Sequence, residues 1–325
     1  MDKDTRFNYT ETAWKGLGTK VEDVLTAKEA IKAAGLDWGV ETVNIFHNYK
    51  GDRLKIENRV ATRRDSDGQV LGIVTPKYSP VQNMEAFNFF DSVVGTGKVH
   101  YDTAGSIRNG RRVWIMAKLD GTLSIKGDGV DKYLLLMNSH DGSIALKMVF
   151  TPIRIACTNM LAAAFAKSDI ASRFYAKHLG NITSKIDTAK EILGMTNNFY
   201  TEFAEQATQL ATLQLPAPEF PKLLAAAFGT TGSVRPEDVV NLDEIGGTRT
   251  ITQMERVQAL FEGEGKGLSE PSIKGTRWAA YNAIVEYLDY GREYRGKASA
   301  DNRLEDMWLG TPQRIKNRAW SYLTN

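Results

Sequence analysis

The chain has 325 residues, 42% of them hydrophobic and 25% charged, with 41 cations against 39 carboxylates. This is the composition of a folded protein with a sizeable core, not of a disordered, collagen-like or disulfide-stapled chain. A net charge of +2 says nothing by itself about nucleic acid.

The length implies about two domains. Cys157 is the only cysteine, so no intrachain disulfide forms and a reducing compartment is expected. The start, Met1-Asp2-Lys3-Asp4, is acidic and leads into no apolar run, so no secretion signal is expected. No stretch approaches the ~18 apolar residues of a membrane span. A cytoplasmic protein without membrane contact is the expectation.

Residues 1–20 read as an arm or turn. Thr26, Glu29 and Gly35 have the spacing of a capping box and a glycine stop, predicting a helix over Ala27 to Ala34. Residues 38–47 alternate as a strand. Residues 58–64 and 69–75 form a hairpin around Asp65-Ser66-Asp67-Gly68. Asn83 is placed to cap a helix over Met84 to Val94, which carries Phe87, Phe90, Val93 and Val94 at helical spacing.

A second hairpin runs from Val99 to Leu119. Asn109-Gly110 is its turn, because both central residues of a type I′ turn need positive φ. That register sets Gly105 opposite Trp114, Ala104 opposite Ile115 and Tyr101 opposite Lys118. Tyr133 to Met137 is unbroken apolar and reads as a central strand.

Residues 138–161 read as strand, turn at His140-Asp141-Gly142, strand and helix. The apolar set moves from the even positions Ile144, Leu146, Met148 and Phe150 to the odd positions Ile153, Ile155 and Cys157. A bulge at Thr151-Pro152 repairs that phase, leaving Lys147 and Arg154 together on the face away from the core.

From residue 159 the pattern is helical: one or two helices over 159–178, a long one over 181–213, and others near 221–228, 249–262, 275–290 and 311–323. Residues 229–247 and 263–275 read as glycine-rich loops. The expected fold class is α+β. An α+β domain over 1–180, mostly antiparallel sheet with packed helices, precedes a mainly helical region over 181–325.

Most candidate chemistry fails on spacing. Gly95-Thr96-Gly97-Lys98 and Gly263-Glu264-Gly265-Lys266 lack the remaining residues of a phosphate loop. His47, His100, His140 and His178 are scattered and have no cysteine pair to complete a zinc set. Asp65-Ser66-Asp67-Gly68 is a turn lacking the distal carboxylate of a calcium loop. No metal or cofactor is expected. Cys157 could meet His140 or His178 as a nucleophile, but it shares the apolar register. His140-Asp141 could be an acid/base pair, although Asp-Gly is first a turn dipeptide.

The positive signal is a basic-aromatic sheet. Residues 98–126 hold six cations against two carboxylates. Arg108, Arg111 and Arg112 surround the hairpin tip, Lys147 and Arg154 share a face, and Tyr101 and Trp114 offer ring surfaces. Single-stranded nucleic acid needs this combination of cations for phosphates and π-faces for bases.

Several motifs together resemble the phage/plasmid-like protein family that carries a domain of unknown function (number 932). They are Ala13-Trp14-Lys15-Gly16-Leu17-Gly18-Thr19, Ala34-Gly35-Leu36-Asp37-Trp38, Leu71-Gly72, Tyr78-Ser79-Pro80-Val81-Gln82-Asn83 and Glu85-Ala86-Phe87. Ala104-Gly105-Ser106, Gly110-Arg111-Arg112-Val113-Trp114, the segment 138–161 and Gly275-Thr276-Arg277-Trp278-Ala279-Ala280-Tyr281-Asn282-Ala283 complete them. Lys15 stands where the family often has histidine. The resemblance implies a phage- or plasmid-borne gene expressed in bacterial cytoplasm and implies no catalytic residues. The element order is also similar to phage single-strand annealing proteins, which bind DNA in oligomeric rings.

The leading expectation is a non-enzymatic protein that binds nucleic acid, single-stranded DNA above all. Arg108, Arg111, Arg112, Lys147 and Arg154 would sit on phosphates, and Tyr101 and Trp114 would stack on bases. The alternatives are a protein-interaction module acting on itself or on a host protein, such as an inhibitor of host defence, and an enzyme with a site at His140, Asp141 and Cys157.

Overall fold

The computed structural model describes residues 6–8, 19–20, 26–94, 99–144, 146–156, 160–161, 174–176, 185–230, 234–265, 270–292 and 299–325. The fold is α+β, with antiparallel sheet first and helices through the C-terminal half. No helix among the described residues is long and apolar enough to cross a membrane.

Two compact units share the chain by interleaving. One takes Met1–Asp120, Tyr133–Phe150 and Arg173–Thr196; the other takes Gly121–Lys132, Thr151–Ser172 and Asn197–Asn325.

In the first unit, helix α1 (Ala27–Ala33) starts at a complete Thr26/Glu29 capping box and ends before Gly35, as its spacing predicts. Strands β3 (Val40–Tyr49), β4 (Asp52–Arg64) and β5 (Val70–Val74) form a three-stranded antiparallel sheet. Strand β5 pairs with β4 only over Val60–Arg63. Beyond that point β3 and β4 continue alone as a two-stranded ribbon, bent where the register shifts between Asn44 and Phe46. Its tip is Lys50-Gly51, both with positive φ, the backbone of a type I′ turn.

Helix α2 (Asn83–Val94) follows. A seven-stranded sheet then takes the order β10-β9-β8-β7-β6-β1-β2. Its strands are β1 (Arg6–Asn8), β2 (Thr19–Lys20), β6 (Val99–Ile107), β7 (Arg112–Ile125), β8 (Asp128–Ser139), β9 (Leu146–Arg154) and β10 (Phe174–Ala176). In the β6–β7 hairpin Gly105 pairs with Trp114 and Ala104 with Ile115, as the Asn109-Gly110 turn requires. A register shift between Tyr101 and Thr103 moves Tyr101 opposite Ala117 instead of Lys118.

Strand β9 corrects the expected phase change. Leu146, Met148 and Phe150 are buried between half-buried neighbours, but every residue from Phe150 to Arg154 is buried and Ile155 is 42% exposed. The strand becomes buried on both faces, and Arg154 stays in register with the core. Residues 174–176, expected in a helix, form β10. Met160 makes an isolated bridge to Ile153, while Cys157 and most of the predicted helix over 159–178 lie outside the described residues.

The second unit is built on helices α4 (Glu219–Phe228), α5 (Thr248–Ala259), α6 (Arg277–Glu286), α7 (Ser299–Leu309) and α8 (Thr311–Thr324), with most of α3 (Lys185–Thr212). Helix α7 was not anticipated from the sequence, and the expected loop 229–247 contains two short 3₁₀ turns. Thr276 caps α6 by accepting the Ala279 N–H. All residues from Trp278 to Glu286 are buried, so α6 has no solvent face and is the unit's central helix. Its Trp278 and Tyr281 pack with Phe203 and Trp320, with the Phe203 and Trp320 rings stacked at 5.4 Å and Tyr281 edge-on to Trp320 at 5.0 Å. Each such pair contributes about 0.5–1.5 kcal/mol beyond area burial.

Two ion pairs are sealed in this unit. The Arg154 Nε donates to Asp128 Oδ2 at 2.5 Å, and the Trp278 indole N–H donates to the same oxygen at 2.7 Å. Lys316 Nζ donates to Asp289 Oδ1 at 2.5 Å and to the Met160 carbonyl at 2.7 Å, while the Met160 N–H donates to Asp289 Oδ2 at 2.9 Å. Burial pushes the Asp289 carboxyl up and the Lys316 amine down, against their mutual attraction.

Removing one member of such a pair strands a buried charge. Asp128→Ala is expected to lower stability by roughly 3–5 kcal/mol, while Asp128→Leu combined with Arg154→Met loses far less. Urea unfolding of the three proteins checks this; equal losses in the single and double variants would refute it.

Candidate nucleic-acid interface

Of the residues expected to meet nucleic acid, Arg108, Arg111 and Arg112 do gather at one turn. Asn109 (φ 58°) takes the positive φ that the turn requires, whereas Arg108 (φ 55°) is left-handed without being glycine or asparagine, a conformation costing about 1–2 kcal/mol. Arg111 is exposed; Arg108 and Arg112 are half-buried. The Arg112 Nε donates to Ser143 Oγ at 3.0 Å.

A fourth guanidinium, which the sequence did not single out, belongs to this cluster. Arg64, at the foot of the β3–β4 ribbon, donates through Nη2 to the Asn109 carbonyl and pairs through Nη1 with Asp67 at 3.2 Å. Its guanidinium lies over the Trp38 ring at 4.7 Å. Gly110 has φ +86°, and a Cβ there would lie 2.5 Å from Arg64 Nη2 and 3.1 Å from Trp38 Cζ2. Glycine is needed at this position for backbone and for space.

Three expected residues are placed differently. Arg154 is wholly buried against Asp128, so its charge is neutralised inside the protein and does not face phosphate. Trp114 is 1% exposed and Tyr101 is 5% exposed, so neither offers a ring to a base. The Tyr101 hydroxyl bonds Asp91 and its ring stacks on Phe87 at 5.9 Å. Burial first, then the Asp91 bond and charge, raise this phenol well above its ordinary range. The register shift sets Tyr101 on the face of Ala117 and leaves Trp114 on the other, and both faces are packed there. Lys147 is half-buried on β9, opposite Tyr175.

His140 is also corrected. The turn reading placed it at a hairpin tip, yet it is 0% exposed. Its N–H donates to the Arg111 carbonyl at 2.7 Å, and its own carbonyl accepts from the Thr62 hydroxyl at 2.6 Å. The ring meets Trp38 edge-on at 5.3 Å. Nε2 lies 2.9 Å from Asn83 Oδ1. Asn83 spends its amide N–H groups on the carbonyls of Leu36 at 3.0 Å and Trp38 at 3.3 Å. That leaves its oxygen as an acceptor, so Nε2 of His140 carries the proton. Asn83 therefore ties segments together instead of capping α2.

The neighbouring residues act in the same way. Gln82 both donates to and accepts from the Val40 backbone at 2.9 Å. Asn138 donates to the Val81 carbonyl at 3.1 Å. The Tyr78 hydroxyl donates to the Ser139 carbonyl at 2.7 Å; burial, then the Asp141 charge, raise its pKa and keep it a donor. Gly72 lets the backbone of Asp141 approach, since a Cβ there would stand 2.5 Å from Asp141 Cα. The Asp141 carboxylate accepts from the Ser143 N–H and hydroxyl at 2.9 Å and 2.5 Å. Among the described residues no three His, Cys, Asp or Glu side chains are grouped to hold a metal ion.

A family profile described as Domain of unknown function (DUF932) matches residues 70–308. The chain belongs to this family. No curated protein and no solved structure matches it. Within the matched span the segments 78–83, 110–114 and 138–142 meet in one knot behind the arginine turn. The segment 275–283, in the same span, leads into α6, with the Trp278 indole held by Asp128.

The knot supports the turn, so damage to it should release the turn without touching an arginine. Asn83→Ala removes three bonds and leaves buried acceptors without donors; a loss of about 2–4 kcal/mol is expected. Hydrogen exchange should quicken at Arg111 and His140. Unchanged exchange there would show that the turn does not depend on Asn83.

Proposed function

We propose that the protein binds nucleic acid without altering it, and that single-stranded DNA is its ligand. The observation that carries this reading is the left-handed Arg108 at the Asn109-Gly110 turn. Backbone strain is retained where surrounding structure holds it for a purpose, and here it sets Arg108, Arg111 and Arg112 around one hairpin tip with Arg64 braced beneath. Cations on a rigid turn follow a phosphate chain without the ordering cost of mobile side chains.

Lys147 extends the basic set, and Arg154, Tyr101 and Trp114 drop out of it. Support for a phage or plasmid setting in bacterial cytoplasm, in replication, recombination or protection of DNA, comes from the resemblance of the motifs. Oligomerisation on the strand belongs to the same reading.

Anisotropy titration of labelled oligothymidylate at low and physiological salt tests it. Affinity should fall steeply with salt, with a slope near −0.7 per phosphate neutralised. Arg111→Glu with Arg112→Glu should weaken binding about tenfold or more and flatten that slope. No binding at low salt, or binding indifferent to charge reversal at both positions, would overturn the proposal.

A further inference from the structure

Among the described residues of the first unit, the β3–β4 ribbon is little covered. From Phe46 to Arg59 almost every residue is exposed, including Phe46 at 41%, Tyr49 at 56% and Leu54 at 43%. A two-stranded ribbon with both faces in water is marginal by itself, and large exposed apolar groups on it mark a surface that meets a partner.

The pairing sorts its side chains. Phe46 opposes Lys55, and Asn48 opposes Arg53, so these four share one face; His47 with Leu54 and Tyr49 with Asp52 share the other. On the first face the Arg53 guanidinium lies 4.2 Å from the centre of the Phe46 ring. Lys55 stands across from that ring and pairs with Glu57 at 3.0 Å. The other face carries Asp52 near the tip, where Lys50 sits over the Tyr49 ring at 5.3 Å. Residues 46–59 hold four cations against two carboxylates.

We infer that the Phe46–Arg53 face is a second contact for single-stranded DNA, a platform on which unpaired bases stack while Arg53 and Lys55 hold the flanking phosphates. This rests on the proposed nucleic-acid reading and extends it to a part of the chain that precedes the family-matched span. The layered guanidinium and ring present a flat π-surface with N–H groups at its edge, the combination that takes a base and a phosphate together. A duplex groove would enclose both faces of the ribbon and bring Asp52 against phosphate. Recognition from one face alone favours an unpaired strand. Arg64 joins the two contacts, since it ends the ribbon's second strand and holds the Asn109 carbonyl of the arginine turn.

The test compares four full-length proteins by anisotropy with oligothymidylate and with a duplex of the same length. Wild type, Phe46→Ala with Arg53→Glu, Tyr49→Ala with Leu54→Ser, and Arg111→Glu with Arg112→Glu are used, each checked by thermal melting. The Phe46/Arg53 variant should lose about tenfold in affinity for the single strand. The Tyr49/Leu54 variant on the opposite face should stay within about threefold, with melting unchanged in both because neither touches a core. Full affinity in the Phe46/Arg53 variant, with loss confined to the Arg111/Arg112 variant, would overturn this inference and leave the nucleic-acid reading standing. So would equal losses from both ribbon variants, or a loss seen only with duplex. Absence of wild-type binding to either probe would overturn both.

Discussion

Asn83 carries a single carboxamide, and the first unit is organised by what that group saturates. Its two N–H groups reach carbonyls beyond α1 and its oxygen receives the His140 ring. Buried carbonyls that lose such donors pay a full desolvation cost. Three stretches distant in the chain, near residues 36–38, 83 and 140, are thus held at one point. His140 passes the constraint on through its own N–H to Arg111, and Trp38 passes it through its ring to Arg64. The exposed Arg111 is thus positioned through Asn83 and His140, which are buried.

The second unit meets the same demand with charge. Arg154 and Trp278 share one carboxylate oxygen of Asp128, and Asp289 holds Lys316 while receiving a backbone N–H. Buried pairs of this type add little net stability compared with apolar packing, but they reject alternatives, because any other arrangement leaves a charge unpaired. Together with aromatic packing around α6, they select one way of assembling helices whose apolar stripes are otherwise interchangeable.

What could be read from the sequence was local. The Thr26/Glu29 box and the Asn109-Gly110 turn involve partners a few residues apart, and each formed where its spacing indicated. Asn83 has the same chemistry as a cap, but tertiary carbonyls captured it. Arg154 looked exposed because its carboxylate lies 26 residues away and cannot be seen in strand alternation. His140 followed a turn-like tripeptide into the interior for a similar reason. The two Lys-Gly turns were a missed local signal: Lys50-Gly51 and Lys126-Gly127 are all left-handed. Reading them as hairpin turns would have revealed the ribbon and the β7–β8 hairpin.

The interleaving of the two units has a bearing on how the chain is made. The bond between Trp278 and Asp128 spans 150 residues, and that between Lys316 and Met160 spans 156. A ribosome delivers the acceptors of both long before their donors. Until then Asp128 and Arg154 have each other but lack the helix that seals them, although every strand of the seven-stranded sheet has already been made. Long-range closures of this kind slow folding and lengthen the time that apolar strand surface is exposed. Synthesis of the last helix, which brings Lys316, is therefore the event that lets the second unit close, and a nascent chain stalled before it would be a target for chaperones.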